Sequence, residues 1–448
     1  MSRRVGVLVT VALGLMAGFL LHSRTVTSAL AQAGSGQAPV SVAAIAGQTG
    51  GQDIWGAYEP VADWPKPLST LPDHKGWTWG SAEGIFAESP NRVFLAQRGE
   101  LPDIPRPQSK RMPEMGPSLA FPVGGVPFRS ATSSSPPSNG GSGGVAEDGF
   151  RLYTGKLGVD ARWEHNIVVV DATGNIIEAW TQWDSMFKRP HTIYISPYDP
   201  EKHVWVVDDH SHAIFKFTND GKKLVQTIGT PGKLGADGTH FNRPTHMAWL
   251  PDGSFVVSDG YNGTRVAKFD KDGKFLLDWG QKGSNPAAGP AGLRAPGQVP
   301  VLETRPGYWN NVHGIATDPK TRRVFVNDRG NRRIQVFDEN GKFLYMWSIG
   351  PEPAQAYCLY MGADQALWIG DHGTSRLVKY DLNGNFQYSW GIFGDFPGAF
   401  WGQHQISVDQ EGNVYVANVA NGRMNKFRPR PGANPAFLLG KPVYSAWK

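Results

Sequence analysis

The sequence of 448 residues has very little cysteine and little charge. Its single cysteine, Cys358, cannot form a disulfide within the chain. Only 19% of the residues are charged, and the net charge of +5 comes from dispersed lysines and arginines. This distribution argues against nucleic acid as a partner. After residues 5–21 no segment is apolar enough to cross a membrane.

The N-terminus has the pattern of a signal peptide. Arg3 and Arg4 precede the apolar run at 5–21, and small-x-small cleavage sites follow at 29–33. We therefore expect residues 1–33 to be removed from an exported protein that is periplasmic or secreted. The alternative is an uncleaved anchor, because the run is nearly long enough to span a bilayer. Otherwise we expect no contact with a membrane and a monomeric chain.

The composition that remains favours an all-β protein. The chain holds 55 glycines, 34 prolines and 16 tryptophans, which indicates many turns and many large flat side chains. Residues 34–75 are interpreted as a flexible leader. Residues from about 100 to 148 are of low complexity and are interpreted as a long surface insertion.

From residue 189 onward the chain repeats a unit of four short strands. The second strands end at Asp208, Asp259, Asp328, Asp371 and Asn418. These positions are about 40 to 50 residues apart, apart from one longer step with a Gly/Pro loop, and a four-stranded propeller blade has that length. The period-two alternation and the Asp-Gly or Asn-Gly turns are those of β-hairpins.

Five copies of the unit are clear, and a sixth is split by the insertion. Residues 81–97 supply its first two strands, and residues 166–180 supply its outer pair. Blades bury their apolar faces only against neighbours, so the array is expected to close. We predict an all-β, six-bladed β-propeller of NHL-type repeats over residues 76–448. An open array or another blade count is the alternative.

Three of the 12 histidines occur at the start of a first strand, which lines the channel of a propeller. They are His191, His313 and His404, from the second, fourth and sixth blades. Alternate blades are related by about 120°, so these imidazoles could share one ion with an open coordination position. The alternative is a set of channel histidines bonded to water or backbone.

Other residues are weaker candidates. Arg98, Tyr261 and Arg329 follow second strands and lie on loops that open at one end of the ring. An arginine there could pair with a carboxylate, and a tyrosine could act as a base. Each could equally be an ordinary loop residue. His246 lies one residue out of register and is interpreted as a polar lining residue, and His165 as a surface or loop residue.

Several of these motifs together resemble the peptidyl-α-hydroxyglycine amidating lyase family. They are Ser-Asp-Gly-Tyr at 258–261, Asp-Arg-Gly-Asn at 328–331, Val-His-Gly-Ile at 312–315, Ala-Gln-Arg-Gly at 96–99 and Gln-His at 403–404. The resemblance covers residues 80–427 without the insertion. It implies zinc on His191, His313 and His404, Tyr261 as base, and Arg98 and Arg329 around the substrate.

The resemblance also implies a reaction, in which a C-terminal α-hydroxyglycine is split into a peptide amide and glyoxylate. The family's disulfides cannot form here. Gln405 stands where the family tends to have an aspartate connected with a structural calcium, and Gly402 stands in place of a methionine. Calcium is therefore disfavoured as a second cofactor. The copper monooxygenase that makes the hydroxyglycine is not in this sequence.

Three functions follow as expectations. The first is a zinc lyase acting on a peptide or small-molecule carbinolamide. The second is a non-catalytic propeller that binds a peptide, glycan or protein on its loop face. The third is a calcium-dependent, lactonase-like hydrolase, which would need several carboxylates on the axis, where this sequence has histidines instead.

Overall fold

A computed structural model describes residues 52–103, 157–283, 302–444 and 447, together with the backbone of Lys110–Arg111 and Ala120–Phe121. The predicted signal peptide at 1–33, the first part of the leader and nearly all of the insertion lie outside these residues and stay predictions. Among the described residues, no helix is both long and apolar enough to cross a membrane. The helices are short: Gln52–Trp55, Leu68–Thr70, Thr181–Trp183, Arg329–Asn331 and Pro435–Phe437.

Six four-stranded antiparallel sheets are arranged as the blades of a propeller, which confirms the predicted fold. From the innermost strand outward, the first three blades are Trp77–Ser89, Arg92–Pro102, Ile167–Val170 and Ile176–Ala179; Pro190–Ile195, Val204–Asp208, Ala213–Phe217 and Leu224–Ile228; Pro244–Trp249, Phe255–Asp259, Arg265–Phe269 and Phe275–Trp279. The next three are Val312–Thr317, Val324–Asp328, Arg333–Phe337 and Phe343–Ser348; Ala356–Met361, Leu367–Asp371, Arg376–Tyr380 and Phe386–Trp390; Gln403–Val408, Val414–Asn418, Met424–Pro429 and Tyr58–Pro60. Two short pairs lie outside the blades: Gln281–Lys282 with Tyr308–Trp309, and Lys110–Arg111 with Ala120–Phe121.

The apolar core lies between the blades. In blades two to six the second strand begins with three apolar residues and is buried along its length, because both of its faces are covered by neighbouring blades. One cluster shows the pattern: Trp205 of the second blade packs with Trp249 and Phe255 of the third, at ring-centroid distances of 5.8 and 5.3 Å. The ring is therefore held by burial between neighbours.

The N-terminal side of the chain closes the ring. Tyr58–Pro60 forms the outermost strand of the sixth blade and pairs with Met424–Pro429. The prediction that residues 34–75 form a flexible leader is wrong for this part, because Tyr58–Pro60 belongs to a blade. The sequence does not reveal this strand, since it is only three residues long and has no alternation to mark it. The predicted start of the insertion is also too early, since Pro102 still pairs with Trp77.

The aspartates that end the second strands are structural. Asp259, Asp328 and Asp371 each accept a hydrogen bond from a backbone N–H that precedes the inner strand of the same blade, at 2.7, 2.8 and 2.6 Å. They fix the loop by which the chain enters the channel, because each carboxylate satisfies a backbone donor of that loop. The repeats thus share a residue that builds the blade rather than one that carries chemistry.

Every blade has an extra residue at the same place in its inner strand, and the first blade has a second one farther along, between Ala87 and Ser89. The pairing with the second strand shifts by one residue at the shared place, as in a β-bulge. In blade order the bulged residues are Glu83, His191, Thr245, His313, Tyr357 and His404. A bulge turns its side chain out of the regular alternation, so six side chains are directed to one level of the channel.

Candidate metal centre

The structure brings His191, His313 and His404 together at this level. One ring nitrogen of each lies within 4.8 Å of the others. Their ring centroids are 4.4 to 5.2 Å apart, and the side chains are 0 to 2% exposed. Blades two, four and six therefore supply three imidazoles to one point, as their spacing in the sequence predicts.

The outer nitrogen of each imidazole is held by the next blade. Nδ1 of His191 contacts the backbone oxygen of Thr245 at 2.9 Å, and Nδ1 of His313 contacts that of Tyr357 at 2.6 Å. Nδ1 of His404 contacts the backbone oxygen of Glu83 at 2.7 Å. A carbonyl oxygen only accepts, so each Nδ1 carries the proton and each Nε2 presents a lone pair.

These lone pairs lack donors in sufficient number. Nε2 of His404 is buried and has no hydrogen-bond partner among the described residues. Nε2 of His191 and of His313 lie 3.1 and 3.2 Å from the hydroxyl oxygen of Tyr261, which has a single hydrogen to donate. Three buried acceptors thus share one donor, and a cation would satisfy them. The donor set fits a metal ion with three protein ligands and an open position.

The imidazoles are neutral in this setting. Burial lowers the pKa of His191 and His313 well below the ordinary value, and nearby Arg98 and Arg329 act in the same sense. Burial lowers the pKa of His404 to about 3. Neutral imidazole is the form that binds a metal. The backbone carbonyls behind each ring set its orientation, as is usual around metal-bound histidines.

Tyr261 lies directly beside two of the three imidazoles, those of His191 and His313. It follows the second strand of the third blade, and its backbone N–H donates to the carbonyl of Arg243. Its ring lies between guanidinium groups: the carbon Cζ of Arg243, Arg329 and Arg189 is 4.3, 5.2 and 5.7 Å from the ring centroid. These three guanidinium groups hold the ring, and its hydroxyl group points to the centre.

Arg98 is buried in a network of charges beside the centre. Its side chain is 2% exposed, and its Nη1 lies 2.8 Å from the carboxylate of Glu83. Its Nη2 lies 3.7 Å from Asp209. Burial and the neighbouring Arg189 lower the pKa of Arg98 to about 10, so it keeps its charge at neutral pH. Glu83 also lies 3.5 Å from Nδ1 of His404.

Arg329 is half-buried, and its guanidinium lies against the rings of Tyr261 and Tyr357, at 5.2 and 4.8 Å. Among the described residues no carboxylate is paired with it. The guanidinium of Arg329 is thus held by two aromatic faces and is not paired with a carboxylate among the described residues. Such a group is suited to bind the carboxylate of a ligand. Arg98, Tyr261 and Arg329 thus surround one centre.

Four further residues of the site are not identified by the sequence analysis. Glu83 is the bulged residue of the first blade, and aligning the blades by their inner strands would have placed it in the histidine register. Asp209 is fully buried and holds Arg189 at 2.7 Å. It also pairs with Arg243. Burial raises the pKa of Asp209, but Arg189 and Arg243 outweigh it and keep that pKa far below its usual range.

Two neighbours complete the level. Nε2 of His246 contacts the backbone oxygen of His404 at 3.1 Å, so this nitrogen donates away from the centre. The amide of Gln405 accepts from the backbone N–H groups of Ile85 and Ile193 and donates to the carbonyl of Ile193 at 2.6 Å. It ties the sixth blade to the first and second. The oxygen of this neutral amide is already engaged in two hydrogen bonds, so Gln405 does not supply the carboxylate that calcium sites usually contain.

Comparison with known proteins gives partial matches. No protein-family model matches the chain. Peptidyl-alpha-hydroxyglycine alpha-amidating lyase 1 of Drosophila melanogaster is 28% identical over 284 residues, which is 60% of this chain and 49% of that protein. Peptidylglycine alpha-amidating monooxygenase of Rattus norvegicus is 32% identical over 183 residues, 40% of this chain and 16% of that protein. NHL repeat-containing protein 3 of Homo sapiens is 31% identical over 193 residues, 41% of this chain and 48% of that protein.

The matched region therefore spans about half, or less, of the length of these curated relatives. Among solved structures, a streptogramin B lyase is 14% identical, with a TM-score of 0.43 over 83% of this chain and 97% of the other.

Proposed function

From the homology of this chain to peptidyl-α-hydroxyglycine α-amidating lyases and to NHL repeat proteins, we propose that it is a zinc-dependent carbon–nitrogen lyase. Its substrate is a peptidyl-α-hydroxyglycine or a similar carbinolamide, and its products are an amide and glyoxylate. One observation carries the proposal: three neutral imidazoles present their Nε2 lone pairs to one point, beside a tyrosine hydroxyl and arginines.

Zinc on His191, His313 and His404 would supply Lewis acidity toward substrate oxygens. The residues of the chain would do the rest. The carboxylate of the substrate pairs with a guanidinium, for which Arg329 and Arg98 are available at the centre. This fixes the hydroxyl-bearing carbon relative to Tyr261.

Tyr261 would move the proton. Its oxygen, held beside Arg243 and Arg329, takes the proton from the substrate hydroxyl. The substrate oxygen then forms the aldehyde C=O bond of glyoxylate as the C–N bond breaks. Tyr261 then returns that proton to the departing nitrogen. The amide therefore leaves neutral, and Tyr261 is restored to its starting form.

The test is metal analysis followed by product analysis. Chain equilibrated with zinc and freed of excess is expected to keep an ion that His313→Ala and His404→Ala lose. The chain is then given a peptidyl-α-hydroxyglycine, and glyoxylate is measured. Release that depends on zinc and on His313 supports the proposal. A matched control is His240→Ala, which removes an exposed-loop imidazole bonded to Asp237.

The competing function is a propeller that only binds a peptide, glycan or protein. A chain whose zinc content does not depend on His313 or His404 would favour that reading and refute the zinc lyase. Zinc at the three histidines without glyoxylate release would refute the proposed substrate.

A further inference from the structure

A second group of ligating side chains lies outside the centre described above. It consists of His74, Glu100, Glu164 and His165, and one ligand atom of each lies within 4.8 Å of the others. His74 precedes the first inner strand, Glu100 is near the end of Arg92–Pro102, and the other two precede Ile167–Val170. No residue is shared with the His191, His313 and His404 centre.

The carboxylate at the middle of this group is completely buried. Oε2 of Glu100 lies 2.8 Å from Nδ1 of His74, and Oε1 lies 2.7 Å from Nδ1 of His165. In the described part of the chain these two imidazoles are its ion-pair partners. A buried carboxylate is costly unless its charge is compensated. The two imidazoles contribute hydrogen bonds to it, whereas a divalent cation between them would compensate its charge directly.

The backbone holds these side chains in place. Glu100 exchanges two backbone hydrogen bonds with Arg162, at 2.7 and 3.0 Å. The backbone N–H of His165 donates to Asp184 at 3.0 Å, and His165 has a left-handed φ of 57°, which is unfavourable for a residue other than glycine. The rings of His74 and His165 are nearly perpendicular, with centroids 4.7 Å apart. The arrangement is therefore built before any ion arrives.

We propose that His74, Glu100, Glu164 and His165 bind a divalent cation of the zinc class. Two imidazoles and two carboxylates are ligands that zinc accepts, and four protein ligands make a closed, structural site. The exposed Glu164 would close the coordination from the solvent side. The ion would join three chain segments that meet here: the loop at His74, the second strand of the first blade, and the return of the chain at His165.

The experiment counts zinc in a background without the first centre. His313→Ala removes the first centre whatever its function, so the result does not depend on the proposed lyase activity. The His313→Ala chain, equilibrated with zinc and desalted, is expected to retain one ion per chain. Adding His165→Ala or His74→Ala should remove that ion. His203→Ala is the matched control, since His203 also contacts two carboxylates, of Asp199 and Glu201, but faces no second histidine.

A conservative variant covers the case in which loss of a buried histidine prevents folding. Glu164→Gln alters an exposed side chain and is added to the His313→Ala background. Zinc titration of the demetallated double variant should show an affinity for zinc about tenfold or more below that of the His313→Ala chain. Folding is checked by circular dichroism in each variant. A folded His313→Ala chain that retains no zinc would overturn the proposal. So would zinc binding unaffected by His165→Ala or by Glu164→Gln.

Discussion

The bulged residue of the inner strand has two different roles in the centre, depending on the blade. In alternate blades the bulged residue is a histidine, and in the intervening blades its backbone carbonyl receives the Nδ1 proton of that histidine. The orienting contact therefore comes from the backbone of Glu83, Thr245 and Tyr357, and the side chains of Glu83 and Tyr357 contact Arg98 and Arg329 instead. The imidazoles need only the main chain behind them, and their direction is fixed by the ring.

The hydroxyl of Tyr261 has a role that can be separated from metal binding. Tyr261→Phe keeps the ring among its arginines but removes the proton acceptor. We expect kcat for glyoxylate release to fall about 10²- to 10⁴-fold, with zinc content unchanged. The control is Tyr308→Phe, a tyrosine that also carries an arginine on its ring, at 3.8 Å, but lies outside the centre. Activity at the wild-type level in Tyr261→Phe would exclude Tyr261 as the base.

His210 makes stability depend on pH. Burial lowers the pKa of His210 to about 3, with Arg189 and Arg243 acting in the same sense and Asp209 opposing them. Above about pH 6.5 both the folded and the unfolded chain hold a neutral imidazole. Below that pH only the unfolded chain takes up the proton, so stability falls as the pH falls towards 3.

The pH effect can be measured by urea denaturation. Between pH 6.5 and pH 5 this histidine is expected to remove about 2 kcal/mol from the free energy of unfolding. His210→Gln should show a correspondingly shallower loss over the same interval. The same pH dependence in both proteins would show that His210 does not titrate in this way.

At the scale of elements, the loop that carries Tyr261 is packed against the strand that carries His313. A methyl group on Gly260 would lie 1.6 Å from the carbonyl oxygen of Val312, which no side-chain rotation can relieve. The absence of a side chain there lets the third-blade loop touch the inner strand of the fourth blade. The spacing between the base and a metal ligand therefore depends on this contact.

Gly260→Ala is expected to separate those two elements. A displacement of about 1 Å between reacting groups costs on the order of 100-fold in rate, so glyoxylate release should fall by about that factor. Gly238→Ala is the control, because its added methyl group would meet only the side chain of Phe275, at 3.2 Å. Equal kinetics for the two variants would mean that the loop and strand are not coupled.

At the scale of the whole molecule, the ring is closed by strands from both ends of the propeller. Tyr58 is fully buried in the sixth blade, its hydroxyl accepts from the backbone N–H of Leu439 at 2.7 Å, and its ring lies 5.5 Å from that of Trp390. The early strand thus joins the last blade to residues near the C-terminus. With no disulfide possible, closure depends on this packing.

Tyr58→Ala should open that closure. Loss of a buried aromatic ring costs roughly 3–5 kcal/mol, and we expect the free energy of unfolding in urea to fall by about that amount. Phe393→Ala is the control, since Phe393 is 59% exposed and its removal leaves no buried cavity. Comparable stability of the Tyr58 variant and the control would show that the ring is closed by other contacts.

The sequence predicts the blades and the convergence of three histidines because both follow from the regular spacing of strands and turns along the chain. It does not predict contacts between segments that are far apart in the chain. His165 is interpreted as a surface or loop residue, yet its side chain is only 11% exposed because it meets Glu100 and His74 across the insertion. Glu83 lies in the strands predicted at 81–97 but is not a histidine, so its shared position with the three histidines is missed. Tyr58–Pro60 is missed because three residues carry no pattern.

Blades that supply a histidine alternate with blades that supply the carbonyl oxygen behind it, so the pattern of the centre repeats every two blades, whereas the fold repeats every blade. Rotating the ring by one blade superposes the backbone but exchanges every ligand with its support, whereas rotating it by two restores both. A duplication or loss of one blade would therefore place two ligands, or two supports, side by side and break the set of contacts at that seam. Only changes by pairs of blades keep every remaining ligand beside a support, so the unit of this alternation is a pair of blades, although the unit of folding is one.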